Sequence, residues 1–367
     1  MSVGASRYVR AVPYGMLRCE QALRLTVDMG LRARTSTIIA VARPVIVFGA
    51  IVATFSFLGW AFVSNWNDLS SEKIDVQPAI LVLSILPGIA AVVVIGLTWA
   101  GLVRYLESDD SVSAQSLLKI FLYSWVGRYV PGKVAYVAGR FLLGRSVRIS
   151  STSLAGSMAY ESVLLLVAGA ALASVTLVPT LAIQSESFLP YLALPALAVG
   201  GAIVLHPRVL GWVLSFGLRT AGREPIEFKG LLPPRQIARV TGLYIGAFLL
   251  NGVGFYLLIV SLTDYSPRYL PLAVGLFGLA AVVGMASVFA PAGIGVREGI
   301  LVAVLQTTMP VEVAILVSLI ARVWATVIDL LLITGCFIYD QLSGERLLIS
   351  ALRGRGSEND ATSALDP

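Results

Sequence analysis

The chain has 367 residues, 57% of them hydrophobic and only 13% charged, with a formal net charge of +6 and a mean hydropathy of +0.84. Soluble globular chains carry about 25% charged and roughly 45–50% apolar residues. The composition therefore excludes a water-soluble enzyme, a disordered chain and a nucleic-acid-binding domain, and leaves a polytopic membrane protein with one membrane domain.

Crossing the hydrocarbon core as a helix takes about 20 mostly apolar residues. Residues 1–43 precede any such run. From Tyr14 to Arg34 they mix Leu17, Leu23, Val27 and Leu31 with Arg18, Arg24, Arg32 and Arg34. That pattern reads either as a basic amphipathic helix on an anionic inner leaflet or as a positive arm that only sets topology. It contains no continuous apolar core, so no cleavable signal is expected. Full spans are predicted over residues 44–63, 79–103, 152–178, 188–205, 240–262 and 312–339. Two further apolar pieces are each interrupted by a proline–glycine knot. Residues 116–144 surround Tyr129-Val130-Pro131-Gly132-Lys133, and residues 270–309 surround Ala290-Pro291-Ala292-Gly293-Ile294-Gly295. Residues 343–367 form a polar tail.

Basic residues gather on the cytoplasmic side of a membrane. Arg7, Arg10, Arg18, Arg24, Arg32, Arg34 and Arg43 precede the first span, and Arg346, Arg353 and Arg355 follow the last. Both termini are thus expected in the cytoplasm of a multi-pass protein of the inner (cytoplasmic) membrane. Six full spans satisfy every loop if each interrupted piece enters and leaves on one side, as a re-entrant broken-helix hairpin. A shift of 161 residues carries position 79 onto 240, Gly132 onto Gly293 and Glu161 onto Arg322. The expected fold is accordingly an all-α polytopic membrane protein with an inverted-topology repeat. Its membrane domain covers residues 44–342, with one repeat at about 44–178 and the other at about 188–339. Inverted repeats with broken helices meeting near the midplane are a transporter architecture.

Proline and glycine at a hairpin tip free backbone groups that lipid cannot satisfy, so both knots are expected inside the protein or lining a wet cavity. Around them stand Arg128, Lys133 and Arg140 in the first piece and Arg297 and Glu298 in the second. With Tyr129, Pro131, Gly132, Pro291, Gly293 and Gly295 they form a candidate site for a phosphate or other anionic headgroup, assisted by helix N-termini. The other reading has the basic residues snorkelling to the interface while the prolines only shape the hairpins. Glu161, next to Tyr160, lies deep in its span, and Ser153, Ser157 and Glu161 form one polar stripe. Arg322 and Asp329, seven apart, share a face of the last span. A charge at the bilayer centre costs about 2.5–3.5 kcal/mol on insertion scales, so each needs a partner. The repeat suggests a Glu161–Arg322 pair, with Asp329 on Arg297 or Arg322. Such a pair either fixes helix register or opens as a gate. Two cysteines, Cys19 and Cys336, and one histidine, His206, give no disulfide framework and no metal site, and no cofactor is expected.

Arg128-Tyr129-Val130-Pro131-Gly132-Lys133, then Glu161 in the following apolar helix, then Pro291-Ala292-Gly293-Ile294-Gly295-Val296-Arg297-Glu298 resemble the lysylphosphatidylglycerol synthase transmembrane-region family. That is the membrane half of bacterial multiple peptide resistance factors, also found as stand-alone proteins. The resemblance covers roughly residues 40–342. It implies a membrane domain linked to flipping aminoacylated phosphatidylglycerol between leaflets, with aminoacyl transfer left to a soluble domain that is not expected here.

Three functions follow as expectations. The first is a translocase that binds a phospholipid or polyprenyl-phosphate headgroup through Arg128, Lys133 and Arg297, with Glu161, Arg322 and Asp329 as its gate. The second is an integral-membrane transferase on a lipid-linked donor, with Glu161, Asp329 or Glu298 as general base. The third is a non-catalytic partner of a separate lipid-modifying enzyme. Neither a nucleotide motif nor a nucleic-acid footprint is present.

Overall fold

The computed structural model describes residues 76–107, 112–129, 134–182, 193–204, 232–286 and 295–343. The N-terminal arm, the predicted span at 44–63 and the polar tail lie outside the described residues. Among the described residues every regular element is helical.

Helix α1, Pro78–Glu107, has 30 residues and is about 45 Å long. Its buried side chains, including Ser84, Gly88, Ala91, Ile95, Trp99 and Leu102, recur every three or four residues as one stripe. The opposite face exposes Val82, Leu83, Leu86 and Leu97. A helix apolar on both faces is suited to lipid rather than water. Helix α2, Ala114–Trp125, is capped by Ser113, whose Oγ accepts the Ser116 N–H at 3.1 Å. It runs into a 3-10 turn, Val126–Tyr129, and helix α3 follows at Val134–Ser146. At 12 and 13 residues, α2 and α3 are each about 18–20 Å long, too short to cross a core of about 30 Å. They lie against each other as a pair.

Helix α4, Ser151–Ala182, is capped by Ser150, whose Oγ accepts the Ser153 N–H at 3.1 Å. Helix α5, Ala193–Val204, packs on α4. Helix α6, Pro234–Val260, starts at a Pro-Pro step, where a missing N–H costs nothing. A 3-10 turn, Pro267–Tyr269, leads into α7, Leu270–Ala286. Helix α8, Val296–Leu305, begins after Gly295, whose φ of 87° suits glycine and strains other residues. The Glu298 carboxylate accepts the Gly295 N–H at 2.7 Å and so closes the helix start. Helix α9, Val311–Ser343, completes the order. A long helix, a pair of shorter helices and a long helix thus occur in that order twice, as α1 to α4 and as α6 to α9, with the 17-residue α7 the longest of the four shorter ones.

The two leading helices, α1 and α6, pack most extensively on each other. Gly254 makes their crossing close: a Cβ there would lie 2.9 Å from the Ser84 carbonyl oxygen and 3.0 Å from the Trp324 ring. Helix α7 packs on α4 and α6, and α8 on α9. Aromatic rings fill the joints, with Phe277 5.1 Å from Phe255 and 5.8 Å from Trp324.

Five stretches among the described residues are long and apolar enough to cross a membrane: Pro78–Glu107, Ser151–Pro179, Pro234–Val260, Pro267–Gly284 and Val311–Ser343. Residues 267–284, expected as one arm of a hairpin, are long enough to cross, because no charge interrupts them after Arg268. Of the predicted span at 188–205, only the twelve residues of α5 are described.

Candidate functional site

Five of the charges that sequence reasoning singled out line one cavity of about 220 Å³. Arg128 reaches it from the turn after α2, Glu161 from α4, Arg297 from α8, and Arg322 and Asp329 from α9. Three arginines thus face two carboxylates. Apolar side chains form the remaining walls, among them Val92, Ile95, Leu165, Phe248 and Ile328, with Asn251 and Ser162 as neutral polar groups. On α9, Arg322, Ala325, Ile328 and Asp329 lie three to four residues apart and so share the inward face.

Each ion is held by a defined partner. Asp329 is paired with the Arg128 guanidinium and accepts the Trp125 indole N–H at 3.0 Å. The same indole supports the Arg128 guanidinium, whose centre lies 4.4 Å from the ring centroid. Glu161 is bound in bidentate fashion by Arg140, with one bond of 3.1 Å, and accepts the Tyr136 hydroxyl at 3.2 Å. Arg140 is fully buried, its guanidinium 4.3 Å from the Trp99 ring, 4.4 Å from Tyr136 and 5.0 Å from Phe121. Arg322 stands 3.6 Å from the Glu298 carboxylate. Arg297 lies over Phe277 at 4.3 Å.

The expected Glu161–Arg322 pair does not form, and Asp329 pairs with Arg128 rather than with Arg297 or Arg322. The reason is local. The second short helix of each pair runs beside the long helix that follows it, so Arg140 on α3 meets Glu161 on α4, and Glu298 on α8 meets Arg322 on α9. Arg140 and Glu298 therefore stand behind the cavity and hold its lining ions. Tyr160 is turned away from it: its hydroxyl accepts the Leu232 N–H at 3.1 Å. Gly295 caps α8, and Tyr129 closes the 3-10 turn after α2. Pro131, Gly132, Lys133, Pro291 and Gly293 lie outside the described residues.

Sequence reasoning missed Trp125 and Tyr136, whose only signal is an aromatic residue beside an arginine in a short apolar piece. It did not single out Lys119 as a buried partner. Lys119 is instead buried and bonds Asp340 of α9 at 3.0 Å, while the Tyr123 hydroxyl approaches the same carboxylate at 3.4 Å. Among the described residues no cluster of three His, Cys, Asp or Glu is placed to hold a metal ion.

Buried charge in an otherwise apolar bundle is costly and marks a polar path or binding site. Here it lines a cavity reached by α1, α4, α6 and α9 and by both short-helix pairs. No curated protein matches the chain. The model of the family described as the lysylphosphatidylglycerol synthase TM region matches residues 41–333. That match covers well over half the chain, which therefore belongs to the lysylphosphatidylglycerol synthase TM region family.

Proposed function

We propose that the chain is a lipid translocase that moves a phosphate-bearing headgroup, anionic or aminoacylated, between the leaflets of the inner membrane. The observation that carries this reading is the cavity, which combines three arginines and two carboxylates with apolar walls. Such a lining fits an amphiphile, whose headgroup needs charged partners and whose chains need none. The element order, long helix, short pair, long helix, fits two repeats of inverted topology with cytoplasmic termini, which would offer the cavity to each leaflet in turn. A separate enzyme would make the lipid that is moved.

The test is translocation of a fluorescent phospholipid in vesicles containing the purified full-length protein. Arg297→Ala combined with the paired replacement Arg128→Ala/Asp329→Asn, which leaves no carboxylate stranded by the loss of Arg128, should abolish protein-dependent movement while leaving a monodisperse protein. Movement at the wild-type rate in that variant would remove the proposed path. No product from a lipid-linked donor is expected in the same vesicles, whereas a transferase would form one.

A further inference from the structure

Arg140 of α3 and Tyr244 of α6 are both fully buried. Each nevertheless has one polar atom with no hydrogen-bond partner among the described residues, the Arg140 Nε and the Tyr244 hydroxyl oxygen. Buried polar atoms are nearly always paired, so two orphans in one neighbourhood call for a reason. The terminal nitrogens of Arg140 are committed to Glu161, and the Tyr136 hydroxyl donates to the same carboxylate at 3.2 Å. Tyr244 is close enough to interact electrostatically with Arg140, Glu161 and Tyr136, yet it bonds none of them. It stands on the inward face of α6, because Phe248 and Asn251, four and seven residues further on, line the cavity. A phenylalanine would fill the same space, so the packing seen here gives the hydroxyl no role.

The two orphans are chemically complementary: an Nε–H only donates, and a phenol oxygen accepts. They also lie on different parts of the helix order, Arg140 in the α1–α4 series and Tyr244 in the α6–α9 series. A shift of α6 against α3 changes their separation while the Arg140–Glu161 pair stays closed. Resting on the translocase reading above, we infer that Tyr244 is a positioning residue of the transport cycle. In the second conformation its hydroxyl oxygen accepts the Arg140 Nε–H and so holds α6 to α3. The bond is charge-assisted and shielded from water, which makes it strong enough to weigh on the balance between two conformations. Tyr244 does not itself line the cavity, so it acts through Arg140 and not on the headgroup.

The experiment measures the distance between spin labels at Val137→Cys on α3 and Leu249→Cys on α6, both exposed positions. The full-length protein, with Cys19→Ser and Cys336→Ser, is placed in bilayer nanodiscs of phosphatidylglycerol and phosphatidylethanolamine and read by pulsed electron paramagnetic resonance. The protein with Tyr244 intact should show two distances. Tyr244→Phe should lower the ratio of the second population to the first by about tenfold and leave thermal melting unchanged. A single distance with Tyr244 intact, or an unchanged ratio in Tyr244→Phe, would overturn the inference. So would a fall in the melting temperature of Tyr244→Phe, the mark of a hydroxyl already bonded at rest through a bridging water. Translocation of a fluorescent phospholipid in vesicles separates this from the broader reading. Lipid movement with an unchanged ratio sinks the Tyr244 role alone, whereas a depleted second distance in a protein that moves no lipid sinks the translocase alone.

Discussion

Replacing Arg140 with methionine should unfold the bundle far more readily than replacing Arg140 and Glu161 together. Arg140 is fully buried and its guanidinium binds both Glu161 oxygens, one of them at 3.1 Å. In Arg140→Met the Glu161 carboxylate keeps the Tyr136 hydroxyl at 3.2 Å but loses its countercharge. Breaking a buried pair from one side costs about 3–5 kcal/mol, and insertion scales price a single central charge at about 2.5–3.5 kcal/mol. The two estimates agree near 3 kcal/mol. Arg140→Met with Glu161→Met leaves no buried charge and should lie within about 1 kcal/mol of wild type, since apolar replacement of a buried pair is often neutral. Glu161→Met alone should likewise cost about 3 kcal/mol by stranding Arg140, so the coupling between the two changes is about 5 kcal/mol. Reversible unfolding in mixed micelles, followed by circular dichroism, measures all three variants. Single-variant costs below about 1 kcal/mol, or a double variant that costs the sum of the singles, would refute the assignment of this pair as the clamp between α3 and α4.

The same unfolding assay separates two tyrosines: Tyr136→Phe should cost about 1–3 kcal/mol by removing a bond to Glu161, whereas Tyr244→Phe should cost nothing, because its buried hydroxyl has no hydrogen-bond partner among the described residues. Gly252→Ala should destabilise by about 1–3 kcal/mol, since a Cβ there would sit 2.5 Å from the Val274 Cα and force α6 from α7. Gly246→Ala faces open space on the same helix and should be neutral or stabilising by up to about 1 kcal/mol. Lys119→Met should cost about 3 kcal/mol by stranding Asp340, and Asp340→Leu added to it should recover most of that loss.

Apolar runs made the long helices legible. The run at 79–103 became Pro78–Glu107 and that at 312–339 became Val311–Ser343. The start of α6 was less legible: its apolar run begins at Val240, but the helix starts at Pro234. Arg235 and Arg239 lower the hydropathy there without weakening the helix, whose start is set by the Pro-Pro step. The short pieces were read as interrupted because of their knots. Their helices were bounded less well, because charge-free residues 270–286 look the same in a hairpin arm and in a span.

Glu161, Arg322 and Asp329 were legible as site residues because a charge in an apolar run is costly wherever the chain places it. Their partners were not, because partner choice depends on which helices touch. The shift of 161 residues suggested a Glu161–Arg322 pair, yet a matching position in sequence does not imply contact. Each instead meets a charge of opposite sign on the short helix just before it, Arg140 or Glu298.

That arrangement separates the ion pairs into two kinds. Arg140–Glu161 and Glu298–Arg322 lie within one long–short–short–long unit, 21 and 24 residues apart in sequence, and tie a short helix to the long helix that follows it. Arg128–Asp329 and Lys119–Asp340 join the first unit to α9 of the second. Movement of one unit against the other can leave the first kind intact but must disturb the second. Of the two cross-unit pairs found among the described residues, Arg128–Asp329 is the one that faces the cavity, where a ligand group could substitute for the broken contact. Lys119 and Asp340, each about 5% exposed at the side chain, have no such substitute and are suited to stay closed.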